Sequence, residues 1–327
     1  MISSVRHEIR KWDIGASEDR FRANDLSLCP SSKKLPPYRP IWNVAEIAKK
    51  YVFTSNQNIP YFKGVDDKTD FVVVVRCHAG YARQLLAMIY FFRNLKSIYD
   101  LNFLLLVIPT EKDSYNVLAE TIHKDKEIYL KSVLRKGKGL RTENLRISLL
   151  FIPDIIYNLY GNYLARVLCT SDWKEMRWNQ FGKLRISRFC DVNSPLHYLL
   201  VDIAVYYVKT YCVKAQQLIV TNADNAYSSL YFDTIWRKTS TADVIMTNML
   251  NKGAFYDVKP LRSRVDLGAY AVNIAFLRDN DDVTFLGILP ERAEANDYHD
   301  CDGYYIQTLV ANGARCWTFN ATLYIHH

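Results

Sequence analysis

The stretch Leu218-Ile219-Val220-Thr221-Asn222-Ala223-Asp224-Asn225-Ala226-Tyr227 runs an apolar strand directly into three oxygen-bearing side chains. A carboxylate at the carboxyl end of a buried strand can hold a hard divalent cation. Mg²⁺ or Mn²⁺ needs only one or two protein carboxylates when a diphosphate supplies the other oxygens. Asp224 is the candidate metal ligand on this reading, flanked by Asn222 and Asn225. Asn and Asp are also the preferred residues of Asx turns and helix caps, so the segment alone leaves both readings open. A second polar cluster, Arg76-Cys77-His78-Ala79-Gly80-Tyr81-Ala82-Arg83-Gln84, follows another apolar run. Strand ends of this kind are where open α/β sheets bind ligands; helix capping plus surface charge is the competing reading.

These side chains need a sheet to hold them. Residues 71–75 are Phe-Val-Val-Val-Val, a β-branched run without polar alternation, as in a strand buried on both faces of a parallel sheet. Leu85, Leu86, Ile89, Phe92 and Leu95 recur at helical spacing, and a second apolar strand, 103–108, closes at Pro109-Thr110. A further strand is expected over 147–152. An amphipathic helix carrying Leu199, Leu200, Ile203, Ala204, Tyr207 and Val208 then leads into the strand that ends at Asn222. The expected class is α/β with a mostly parallel central sheet flanked by helices. Residues 1–65 read differently: prolines at 30, 36, 37 and 40 forbid regular structure, and a short helix is expected over 44–51. They form an N-terminal extension wrapping or preceding a core of 66–327.

Composition and absent motifs narrow the chemistry. No GxxxxGK[ST], GxGxxG, HExxH or GxSxG is present, which disfavours P-loop ATPases, dinucleotide dehydrogenases, zincins and α/β-hydrolases. The chain of 327 residues carries a net charge of +8. Its basic residues cluster only over 124–141, where Lys124, Lys126, Lys131, Arg135, Lys136, Lys138 and Arg141 read as a solvated mobile loop or a contact to an anionic ligand. No apolar run approaches the roughly 20 residues that span a bilayer. The N-terminus lacks the apolar region of a secretory signal, and the 7 cysteines form no CxxC pair. A cytoplasmic location is preferred; the alternative is the lumenal domain of a Golgi enzyme with an anchor upstream.

In the order of its pieces across about residues 70–327, the chain resembles nucleotide-sugar-dependent glycosyltransferases of the GT-A (Rossmann-like) fold. Their signature is a strand ending in Asp-x-Asp, which binds the metal and the donor diphosphate. Here the motif reads Asn222-Ala223-Asp224, with the first acid amidated. The resemblance implies Mn²⁺ or Mg²⁺ on Asp224, with Asn222 and a C-terminal His, His326 ahead of His327, as further ligands. It implies donor contacts from Arg76, Tyr81, Thr110, Asp202, Asn225, Asp266 and Gly268, the glycine allowing close backbone approach. It also implies an inverting general base at the start of a late helix, Asp302 with Asp300 as substitute. The function so implied is transfer of a sugar from a UDP- or GDP-sugar to a hydroxyl of a glycan or glycoconjugate acceptor, with no nucleic acid as partner. Two other readings stand beside it: a sugar nucleotidyltransferase, and a non-enzymatic nucleic-acid-binding protein using 124–141.

Overall fold

An apolar run such as 71–75 needs cover on both faces, and the computed structural model supplies it. The structure describes residues 43–53, 69–135, 144–160, 193–260, 265–288 and 301–327. Strand β1 (Phe71–Cys77) lies between β2 (Phe103–Pro109) and β4 (Gln217–Asn222), parallel to both. Strand β3 (Leu145–Leu149) adds parallel to β2 at the edge. The valines of β1 and the whole of β2 are buried. Helix α2 (Ala82–Asn94) turns Leu85, Met88, Ile89 and Phe92 inward, the stripe its helical spacing requires. At the foot of the sheet Phe71, Phe92, Phe103 and Phe232 interlock, with ring centroids 5.0–5.7 Å apart. Burial of rings of this size contributes about 1.5–3 kcal/mol each.

The second half of the chain extends the sheet beyond β4. Strand β8 (Tyr270–Asn273) is inserted antiparallel between β4 and β6 (Val244–Asn251), and β9 (Cys316–His326) runs parallel to β6. The short β5 (Ala226–Tyr227) pairs with β9, and β7 (Ala254–Tyr256) folds back on β6 as a hairpin; helices α5 (Tyr231–Trp236) and α6 (Ile274–Asp279) follow β5 and β8. The order is β3-β2-β1-β4-β8-β6-β9-β5, a mostly parallel sheet flanked by helices and consistent with a Rossmann-like GT-A fold. Strands β4 and β8 pair only at Gln217↔Asn273 and Leu218↔Val272. Beyond that point the strands are no longer laddered, and the 3₁₀ turn Leu267–Ala269 that enters β8 packs beside β4. The carboxyl ends of β1, β4 and β9 therefore meet the amino end of β8 along one sheet edge.

Several elements differ from the sequence expectation. The basic stretch is not a loop through its first half: Lys124, Lys126, Lys131 and Arg135 lie on helix α3 (Ser114–Arg135). Strong helix formers and an i,i+4 ion pair between Glu120 and Lys124 at 2.5 Å favour that state. Residues 136–141 lie outside the described residues. Helix α4 (Asn193–Tyr211) is not amphipathic in the simple sense, because Val201, Asp202, Ile203, Ala204, Val205, Tyr207 and Val208 are all buried. Strand β3 begins two residues early and stops at Leu149. Of the N-terminal extension, helix α1 (Val44–Ile47) continues as a π turn, Ala48–Val52, and packs on α4, with Phe53 against the rings of Tyr206, Tyr207 and Tyr211. Among the described residues no helix is long and apolar enough to cross a membrane. Cys77, Cys212 and Cys301 are buried free thiols.

Candidate active site at the carboxyl edge of the sheet

Arg76 and Asn222 are register partners across the parallel β1–β4 pair, near the carboxyl ends of both strands. The Arg76 Nε donates to Asn222 Oδ1 at 2.7 Å. The Asn222 amide oxygen, expected from the resemblance as a metal ligand, is thus engaged by the Arg76 guanidinium. Two residues on, Asp224 is half-buried, and its Oδ1 is shielded from solvent without a hydrogen-bond partner among the described residues. Buried polar atoms are rarely left in that state.

Across the gap from β4, the turn into β8 brings in Asp266. Its Oδ1 accepts from the Tyr324 hydroxyl at 2.5 Å and from Gly268 N–H at 3.2 Å, while Oδ2 lies 3.0 Å from His326 Nδ1. Tyr324 and His326 are two residues apart on β9 and so share a face. Burial alone would raise the Asp266 carboxyl; contact with His326 and the bonds from Tyr324 and Gly268 outweigh it and hold the group below its ordinary value. His326 is pushed the other way, upward, because its contact with Asp266 outweighs burial, with smaller contributions from Asp224 and Asp302. Gly268 has its own reason to be glycine: a Cβ there would overlap the Tyr324 ring.

Asp302 stands in the first turn of helix α7 (Cys301–Ala311), where the helix end favours a carboxylate. It is buried, and Oδ1 accepts from the Tyr198 hydroxyl at 2.8 Å. Burial pushes its pKa up to about 7, the Asp266 charge adds to that rise, and Arg76, Tyr198 and the Leu267 N–H oppose it. The Arg76 guanidinium also lies 5.9 Å from the Tyr198 ring centroid. Among the described residues the edge thus gathers the carboxylates of Asp224, Asp266 and Asp302 with the Arg76 guanidinium and the His326 imidazole.

That charge balance and the unpartnered Asp224 oxygen fit a divalent cation shared with a diphosphate. Among the described residues no group of three or more His, Cys, Asp or Glu forms a complete cage, but a cation shared with a diphosphate requires only one or two protein carboxylates. Asp224 and His326 are the residues that fit.

The remaining expected residues are distributed as follows. Tyr81 is half-buried and packs on the His78 ring at 4.1 Å, while His78 caps the turn at Gly80. Thr110 is buried, with its N–H on the Cys77 carbonyl at 3.0 Å. Asn225 is buried, with Nδ2 on Thr221 at 3.1 Å and Oδ1 accepting from the His327 N–H at 3.5 Å, so it tethers the end of β9 beside β4. Asp202 is neither solvent-facing nor one of the gathered carboxylates: its oxygens accept from the N–H groups of Phe285 at 2.6 Å and Leu286 at 2.9 Å. Burial raises its pKa to about 7 against those two bonds and the Lys209 charge. Asp300 lies outside the described residues. Sequence reasoning missed Tyr198 and Tyr324. The i,i+2 spacing of Tyr324 and His326 on the last strand was the signal for one; Tyr198 had none.

No protein-family model matches the chain, and no curated protein matches it. Among solved structures it is similar to TarS 1–349 of S. aureus, at 12% identity and a TM-score of 0.40 over 79% of this chain and 60% of that one. The same protein in complex with UDP-GlcNAc gives 12% identity and a TM-score of 0.38, over 79% and 58%. The 4-diphosphocytidyl-2C-methyl-D-erythritolsynthase of Anaerococcus prevotii gives 9% identity and 0.27, over 66% and 75%. The chain spans about 60% of the length of the first of these. Likeness at this level bears on neither substrate nor reaction.

Proposed function

We propose that this chain is a nucleotide-sugar-dependent glycosyltransferase that moves a sugar from a UDP- or GDP-sugar to a hydroxyl of a glycan or glycoconjugate, with inversion. The observation that carries the reading is the buried Asp302, bonded to Tyr198 at the start of α7, on the same sheet edge as Arg76 and the unpartnered Asp224. In the reaction, Asp302 takes the proton of the acceptor hydroxyl as that oxygen bonds to the anomeric carbon and the bond to the diphosphate breaks. A carboxyl whose pKa lies at about 7 suits that role near neutral pH. Arg76, at the end of β1, faces the departing nucleoside diphosphate and favours its growing charge. Asp224 and His326 are the residues that would hold Mn²⁺ or Mg²⁺, which would supply charge neutralisation at the same leaving group. Asp266, fixed by Tyr324 and Gly268, engages His326 Nδ1 and so turns the ring to leave Nε2 for the cation.

Nucleic acid is not part of this reading, because the lysines of α3 alternate with Glu120, Asp125 and Glu127 rather than forming one basic face. The test is a thermal-shift screen of nucleotide sugars with and without Mn²⁺, since a ligand bound only by the native state raises its stability. A rise with one donor class, larger in Mn²⁺, is expected. No rise with any UDP- or GDP-sugar, alongside pyrophosphate formation from a nucleoside triphosphate and a sugar phosphate, would overturn the reading in favour of a nucleotidyltransferase.

A further inference from the structure

Helix α4 sends two side chains one turn apart toward α7. Tyr198 donates to Asp302 Oδ1 at 2.8 Å, and Asp202 accepts the N–H groups of Phe285 and Leu286 at 2.6 and 2.9 Å. Phe285 connects the two: its ring stacks on Tyr198, centroids 5.7 Å apart, and on Tyr305 of α7 at 3.9 Å. Its carbonyl accepts from the Cys301 thiol at 3.1 Å, next to Asp302 in the chain. The Tyr198 ring is therefore held against an anchored aromatic stack, and the Arg76 guanidinium lies 5.9 Å from its centroid. A phenol fixed in this way can donate in one direction only, and that direction is Asp302.

We propose that Tyr198 is the positioning residue for Asp302, holding Oδ1 so that the carboxylate meets the acceptor hydroxyl in a single orientation, with Asp202 as the anchor of the stack that holds Tyr198. This rests on the reading of Asp302 as general base. Tyr198 itself touches no substrate. The groups that face Asp302 are Asp266 and the Leu267 N–H from the β8 turn, Arg76 from β1, Tyr198 from α4, Tyr270 from β8, Cys301 from α7 and His326 from β9. Of these, the Tyr198 bond is one of those that lower the Asp302 pKa.

Tyr198→Phe keeps the ring and removes only the hydroxyl. Steady-state transfer by the full chain is expected to show kcat reduced about 10-fold or more, the loss of one hydrogen bond to a charged group. Donor KM should stay within about twofold of wild type, because Tyr198 touches no substrate. The acid limb of the pH–rate profile should move to higher pH, a change a merely structural role would not produce. Asp202→Ala should give the same pattern more weakly in kcat. Wild-type transfer with an unchanged kcat and acid limb in Tyr198→Phe would overturn the positioning role while leaving the proposed function standing. Absence of transfer by the wild type with every nucleotide sugar would overturn both.

Discussion

Arg76 Nε donates to Asn222 Oδ1 at 2.7 Å across the β1–β4 register, so the amide at the first position of Asn-Ala-Asp is engaged with a guanidinium. The guanidinium is held at the strand edge by a neutral partner and keeps its full charge for an anion. Arg76→Ala is therefore expected to weaken nucleotide-sugar binding by about 1.5–3 kcal/mol, the range for hydrogen bonds to charged groups. Isothermal titration calorimetry measures this. Arg76→Lys should recover little, because an ammonium cannot hold Asn222 and a diphosphate in the same plane.

Asp302→Asn separates activity from stability. Removing the base should lower kcat by about 10²–10⁴-fold. The buried Asp302 carboxyl has a pKa raised from 3.8 to about 7, so its contribution to stability is full below 3.8 and lost as pH rises through about 7. At pH 8 the amide, which has no charge to desolvate, should leave the protein as stable as wild type or more so in chemical denaturation. A large loss of stability would contradict this description of the site.

Gly268→Ala tests the close approach at the β8 turn. The new methyl meets the Tyr324 ring, whose hydroxyl is bonded to Asp266. Overpacking of this kind costs about 1–3 kcal/mol, readable as a lowered urea midpoint. The displaced Tyr324 should also release Asp266 and reduce transfer. Gly253, at φ +82° with nothing within 4 Å of a built Cβ, would lose stability for backbone reasons alone and leave transfer unchanged.

The His326–Asp266 pair predicts a pH window. His326 is raised from 6.5, so its contribution to stability is full below 6.5 and fades as pH rises through its higher folded value. Asp266 is lowered from 3.8, so its contribution is full above 3.8 and is lost as pH falls through its folded value. The stability difference between wild type and His326→Gln should thus be largest between those two ordinary values and shrink toward alkaline pH. Thermal melts across that range check it, and a difference independent of pH would contradict the pairing.

Much of this was legible from residues alone, and the failures have physical causes. Strands β1, β2 and β4 were readable because a strand covered on both faces needs an unbroken apolar run, and the place of Asp302 in the first turn of a late helix was expected from the family resemblance. The insertion of β8 between β4 and β6 was not, since strand pairing between residues 217–218 and 272–273 leaves no local signature. Lys124, Lys126 and Lys131 suggested a loop by charge, yet all three lie on α3, where Glu120 and Glu127 stand four residues before Lys124 and Lys131. Asp202 sits on an apolar helix, where charge leads one to expect solvent or ligand; its partners are backbone N–H groups 83 and 84 residues away in the chain. Asp302's dependence on Tyr198 spans 104 residues and was invisible for the same reason.

The central claim is that this sheet edge transfers a sugar from a nucleotide diphosphate donor with Asp224 and Asp302 in separate roles. Nucleoside diphosphate release from a panel of UDP- and GDP-sugars, measured with Mn²⁺ or with chelator and across wild type, Asp224→Ala and Asp302→Asn, tests it most directly. The account predicts release from one donor class by the wild type, loss of the Mn²⁺ stimulation in Asp224→Ala, and loss of turnover with donor binding retained in Asp302→Asn. Equal release by all three proteins, or none by the folded wild type with any donor, would contradict it.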